Sequence, residues 1–330
     1  MSRPLSRVRP RPVRRLPRVR VAASLAMVAA ACGASATPVA AKQGPPQTSI
    51  FVAGAYAIAN GGNSVDPSGA NDWSCKPSAA HPRPVVLVHG TWANAYNDWA
   101  YLSPKLKASG VCVFALNYGG SSPALGINAT GPIKESGRQL GVYVDRVLAA
   151  TGASQVDLVG HSQGGMMPRA YLKYWGGANP GDPSKNKVHA LVSIAGSHHG
   201  VGTIGTRNYA KAMERSAQIA PIIGQAAADQ QQGSPFLRDL DMGGMTQPGV
   251  EYTAIATRYD WIVAPWRNTH ISDNRAGAVV HNITLQSGCL SNMADHISIV
   301  YSARTLWFVK QALGLPRSAK PTCDVQLPVL

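Results

Sequence analysis

A serine flanked by glycines, at the point where an apolar run stops, is the first chemistry the sequence offers. Val156-Asp157-Leu158-Val159 leads into Gly160-His161-Ser162-Gln163-Gly164-Gly165, and a helix-compatible stretch from Met166 to Trp175 follows. The order strand, sharp turn, helix puts Ser162 at the apex of a strained turn. Glycines two places away on either side remove the side chains that would collide there. Such a serine can act as a nucleophile. Free backbone N–H groups at the start of the next helix would favour negative charge developing beside it. Gly and Ser are common in loops, so the five-residue pattern alone is only moderately specific; its setting between a buried-type strand and a helix gives it weight.

A hydroxyl is a poor nucleophile near neutral pH and needs a base to take its proton. Of the nine histidines, His296 in Asn292-Met293-Ala294-Asp295-His296 falls just before the last expected helix. The chain order nucleophile, acid, histidine requires that late position. Its rivals are His270, read as a loop residue, and His281, read as a packed histidine inside an apolar strand. The histidine in turn needs a carboxylate to fix its tautomer. Asp260 follows the expected strand Tyr252–Ala256, between nucleophile and base, and is the first choice. Asp273 and Asp295 are the alternatives, the latter read as a surface charge. Two backbone N–H groups should bind an oxyanion: that of Gln163, next to the serine, and that of Thr91, after the first core strand. The Thr91 hydroxyl would add a third donor. Gly90 is read as a tight turn, and His89 and His161 as packing residues.

The elements that must hold these residues alternate. Pro84-Val85-Val86-Leu87-Val88 and Val111–Leu116 are continuous apolar runs, the pattern of strands buried on both faces. A helix is expected from about Asp98 to Ala108, and another from Pro132 to Ala150, with Leu140, Val144, Val147 and Leu148 at helical spacing. Val188–Ala195, Tyr252–Ala256 and Val279–Leu285 are further strands, and a closing helix runs from Ile297 to about Leu313. This alternation implies an α/β fold with a mainly parallel sheet flanked by helices. Residues 42–83 are expected to be irregular. Residues 197–249 form an insertion with no strand signal, in which Tyr209–Gln232 reads as helical with Ile219, Ile222 and Ile223 on one side. It is either a cap or lid presenting apolar surface to a lipid-like substrate, or an amphipathic helix packed on the sheet.

Composition bounds the rest. Residues 1–20 carry eight arginines and no acid, Val21–Cys32 is a short apolar run, and small residues follow. That order is a secretory signal, expected to occupy residues 1–41, and the apolar run is too short to span a bilayer. Without it the charge is 23 basic against 16 acidic residues, a net +7 in place of +15, so nucleic-acid binding is not expected. Cys75, Cys112, Cys289 and Cys323 remain, an even number that points to two disulfides in an exported protein. Three pairings are open, of which Cys75–Cys112 with Cys289–Cys323 is the most local. No CxxC or histidine-rich spacing points to zinc, and no cofactor is expected.

The segments Val85–Thr91, Gly160–Gly165, Thr257–Val263 and Asp295-His296, with Asn71-Asp72-Trp73-Ser74-Cys75-Lys76-Pro77 ahead of them, together resemble the secreted class 2 bacterial lipases of the α/β-hydrolase superfamily. The similarity extends over most of the chain after about residue 45. It implies an α/β-hydrolase fold and hydrolysis of triacylglycerols and shorter esters through an acyl-enzyme, without a metal. Ser162, Asp260 and His296 match the triad positions, and Thr91 and Gln163 the oxyanion positions. The expectation is a secreted, monomeric ester hydrolase that meets a lipid or small ester, transiently at a lipid–water interface. An acyltransferase on the same triad and a non-catalytic binding protein on the same scaffold are the alternatives.

Overall fold

The computed structural model describes residues 42–120, 122–202, 218, 220, 223–272 and 277–329. The expected signal at 1–41 lies outside the described residues, as do Asp273, Ile219 and Ile222.

Strands β1 (Lys42–Gly44) and β2 (Val65–Pro67) form a small parallel pair. The main sheet holds β3 (Val85–Val88), β4 (Val113–Leu116), β5 (Val156–His161), β6 (Val188–Ile194), β7 (Glu251–Ala256) and β8 (Val279–Thr284). All six run parallel, in the spatial order β4-β3-β5-β6-β7-β8. Every residue of β3, β4 and β5 is buried. Their uninterrupted apolar runs follow from this, because both sheet faces are covered. Side chains alternate between the faces. Val85 and Leu87 join the cluster with Tyr96, Trp99, Leu102, Leu106 and Val309, whereas Val86 and Val88 join Leu140, Val144, Val147 and Tyr171.

Helices α1 (Ile50–Ala59), α2 (Ala95–Trp99) and α3 (Leu102–Lys107) precede the long α4 (Ile133–Thr151). α5 (Gln163–Met166) and α6 (Pro168–Tyr174) follow Ser162 directly. α7 (Gln225–Asp229), α8 (Pro235–Asp241) and α9 (Ala303–Ala312) come later in the chain.

Several boundaries differ from expectation for identifiable reasons. The helix expected over Asp98–Ala108 is two helices, and the first starts earlier because Asn94 forms a reciprocal capping box with Asn97. Residues 42–83 are not irregular throughout: they hold α1, whose sequence Ile-Phe-Val-Ala-Gly-Ala-Tyr-Ala-Ile-Ala is apolar all round and so shows no helical stripe. Pro132 stands just outside α4, and the helix ends at Gly152 with φ 76°. The closing helix is a 3-10 turn, Ser298–Tyr301, followed by α9, which Ser302 caps by accepting from Thr305 N–H. His281 is exposed rather than packed, because β8 is the sheet's edge strand.

Both disulfides form in the local pairing, Cys75–Cys112 and Cys289–Cys323. The described part of the insertion is bonded to the α4/α6 flank. Asp229 Oδ2 accepts the Ile133 N–H at 2.9 Å and so caps α4, while Lys173 donates to the carbonyls of Leu240 and Met242 at 3.0 and 2.8 Å.

Candidate active site

Ser162 has φ 55° and ψ −122°, a conformation that an L-residue holds only when its surroundings fix it. Two close approaches do so. A Cβ on Gly160 would lie 1.8 Å from Gly164 O, and one on Gly164 would lie 2.1 Å from Val88 O. Only hydrogen fits at either position, so β5 can turn into α5 against the end of β3. The Ser162 N–H donates to Ile194 O at 2.9 Å, tying the turn to β6 as well.

The turn delivers Oγ to His296. His296 Nε2 lies 2.9 Å from Ser162 Oγ, and its Nδ1 lies 2.8 Å from Asp260 Oδ2 and 3.0 Å from Oδ1. Residues 134 and 36 positions apart are thereby brought into one line. Asp260 Oδ1 also accepts the N–H groups of Ile262 and Val263, at 3.0 and 2.7 Å, so the carboxylate cannot rotate freely. All three side chains are buried.

The rival residues are engaged elsewhere. Asp295 accepts from Ile297 N–H, Ser298 N–H and the Ser298 hydroxyl, which caps the 3-10 turn. His270 packs edge-on against Trp266.

Thr91 and Gln163 meet beside the serine. Among the described residues, neither backbone N–H donates to a protein acceptor. The Thr91 hydroxyl is not the free third donor that was expected: it donates to Gln163 Oε1 at 2.8 Å and accepts from Gln230 Nε2 at 2.9 Å. Gln230, from the insertion, is itself held by the Ser197 hydroxyl at 2.9 Å. A cavity of about 180 Å³ opens onto Ser162 and His296, walled by Ile50, Trp92, Val201, Ile223, Ala227 and Ile262. A larger groove of about 600 Å³ between β8 and α9 contains none of these residues.

Sequence reasoning missed Asp98 and Gln230, and it reduced His161 to packing. Asp98 Oδ2 accepts the Gly90 N–H at 2.7 Å and lies 3.1 Å from His161 Nδ1. His161 Nε2 lies 2.9 Å from the His296 carbonyl oxygen. No spacing rule joins residues 63 positions apart, so nothing local could have revealed the pair. His89 is fully buried and stacked on Tyr118; burial pushes its pKa down to about 4 despite the nearby Asp98.

A parallel sheet flanked by helices, with a serine on the strained turn after its central strand, is the α/β-hydrolase fold. Residues 82–290 match the Lipase (class 2) family, and the chain belongs to that family. A triacylglycerol lipase of Pseudarthrobacter phenanthrenivorans is 41% identical over 96 residues, which is 28% of each chain. One of Vibrio cholerae is 29% identical over 169 residues, or 50% of this chain and 46% of that protein. The matches thus span less than half the length of these relatives. Among solved structures, Aspergillus fumigatus lipase B superposes with a TM-score of 0.56 at 22% identity, covering 76% of this chain and 55% of that one. At that identity the likeness speaks for the fold alone.

Proposed function

We propose that the protein hydrolyses carboxylic esters, triacylglycerols among them, through an acyl-enzyme on Ser162. His296 Nε2 takes the Ser162 proton as Oγ attacks the ester carbonyl, and returns it to the leaving alcohol. Asp260 holds His296 with Nδ1 protonated and faces the imidazolium that forms. The backbone N–H groups of Gln163 and Thr91 receive the oxyanion. Water deprotonated by His296 then releases the acid. The observation that carries this reading is the line Ser162 Oγ, His296, Asp260, at 2.9 and 2.8 Å.

The apolar wall of the cavity supports an uncharged acyl group. The described part of the insertion adds Val201, Ile223 and Ala227 to that wall, which supports reading 197–249 as a cap. Two disulfides and the basic, apolar, small-residue order of 1–41 support export. Ser162→Ala tests the chemistry: p-nitrophenyl ester hydrolysis and labelling by a fluorophosphonate should both be lost in a folded variant. Retention of wild-type activity would refute it.

A further inference from the structure

Asp98, on α2, and His161, the last residue of β5, lie behind the serine and take no part in the proton transfers above. Both are buried. His161 Nε2 faces the carbonyl oxygen of His296 at 2.9 Å. A carbonyl oxygen only accepts, so Nε2 carries a proton. His161 Nδ1 faces Asp98 Oδ2 at 3.1 Å, and that same oxygen already accepts the Gly90 N–H at 2.7 Å. Where Asp98 is ionised it also only accepts, and Nδ1 then carries a proton too. An imidazole protonated at both nitrogens is an imidazolium.

We infer that Asp98 and His161 form a buried carboxylate–imidazolium pair that positions the active site, bracing the Gly90-Thr91 turn and the backbone of His296 against each other. The inference rests on the hydrolase reading of Ser162. One end of the brace is the N–H of the residue before Thr91, and the other is the carbonyl of the base itself. His161 adjoins Ser162 in sequence. A single pair therefore fixes the oxyanion turn, the nucleophile and the base.

The charged and titratable groups around the pair agree with this assignment. Burial alone would push the His161 pKa down, but the Asp98 carboxylate and the His296 carbonyl outweigh it, with Asp260 adding in the same direction. Burial likewise works against ionised Asp98, and His161 leads the groups that outweigh it, with His89 and the Gly90 N–H behind, so the two pKa values move apart. The His296 ring lies 5.2 Å from that of His161, centroid to centroid. The one competing state puts the proton on Asp98 and makes Nδ1 an acceptor. Asp98 Oδ1 has no protein partner, so the His161 and Gly90 contacts carry the whole compensation for burying this carboxylate.

Nitrogen NMR of the full chain labelled with ¹⁵N-histidine decides the charge state. The expected result is a His161 ring with both nitrogens of protonated type and two slowly exchanging ring protons, constant across about pH 5 to 8, where a free histidine would titrate. Loss of the signals in His161→Gln assigns them. One unprotonated ring nitrogen at neutral pH would overturn the charged pair. The positioning role is read from the rate of Ser162 labelling by a fluorophosphonate and from kcat. Folded Asp98→Asn should lose about a hundredfold in both, the size of a small misplacement of reacting groups, with KM little changed. His161→Gln, whose amide nitrogen can still reach the His296 carbonyl, should lose less than His161→Ala, and it carries the test if Asp98→Asn does not fold. Wild-type labelling rates in folded Asp98→Asn or His161→Ala would overturn the positioning role. A wild-type protein that is never labelled would instead overturn the serine reading, while the NMR result still settles the pair.

Discussion

Replacing Asp260 by Asn separates a triad carboxylate from one that is merely near a histidine. Asp260 Oδ1 is held by the N–H groups of Ile262 and Val263, so the amide oxygen of Asn stays at that position. Its NH₂ group then occupies the place of Oδ2, 2.8 Å from His296 Nδ1. An NH₂ group only donates, so this closer contact favours Nδ1 as acceptor and a ring proton on Nε2, over the 3.0 Å contact with the amide oxygen, which already accepts two N–H groups. Nε2 faces Ser162 Oγ at 2.9 Å, and once protonated it cannot take the serine proton. The loss expected for a wrong tautomer in such a triad is about 10⁴-fold in kcat. That corresponds to roughly 5.4 kcal/mol in the barrier. Stability should change little, since both N–H bonds to Oδ1 survive. Steady-state hydrolysis of a soluble p-nitrophenyl ester, with a urea melt of the same sample, reads both quantities. A folded Asp260→Asn enzyme within tenfold of wild type would show that Asp260 does not set the His296 tautomer.

Three further outcomes follow from the fold. Gly164→Ala puts a Cβ 2.1 Å from Val88 O and 2.4 Å from His89 O, both backbone atoms, so it should cost about 3 kcal/mol or more by urea melting; a wild-type midpoint would contradict the close approach. Paired replacement of Cys289 and Cys323 by Ser opens a loop of 34 residues and should cost about 4 kcal/mol by the chain-entropy argument, and dithiothreitol should cost the parent more than the variant, which keeps only Cys75–Cys112. Acid should destabilise the protein through His89. The unfolded residue binds a proton near 6.5 and the folded one only near 4, so the unfolded state holds more protons between those values. Stability therefore falls as pH drops through that window, by on the order of 3 kcal/mol from this residue. His89→Phe should flatten the dependence of urea stability on pH, and an unchanged slope would show that His89 is not the group responsible.

What was legible in the sequence divides along the same physical line as what was not. The serine turn was legible because its requirement is local: Gly160 and Gly164 leave room for the backbone oxygens of Gly164 and Val88, and both lie within two residues of Ser162. The buried strands were legible because a sheet covered on both faces needs continuous apolar runs. Asp260 and His296 could be ranked only by their order along the chain, which says nothing of distance. α1 was invisible because an all-apolar decapeptide has no helical period, and the break between α2 and α3 because the cap depends on two asparagines.

The brace of Asp98 and His161 shows why the supporting parts of a site are harder to read than its reacting ones. A nucleophile must stand where backbone geometry is abnormal, and abnormal geometry leaves glycines in the sequence. A support must only present the right atom at the right place, and here it does so to backbone groups, Gly90 N–H and His296 C=O, which every residue but proline can offer equally. The same holds for Gln230, which reaches the Thr91 hydroxyl across 139 positions and leaves no trace in the motif it steadies. Such contacts become visible only through burial: a carboxylate and an imidazole removed from water must answer for their charge, and the groups that answer lie on the two loops that carry Thr91 and His296.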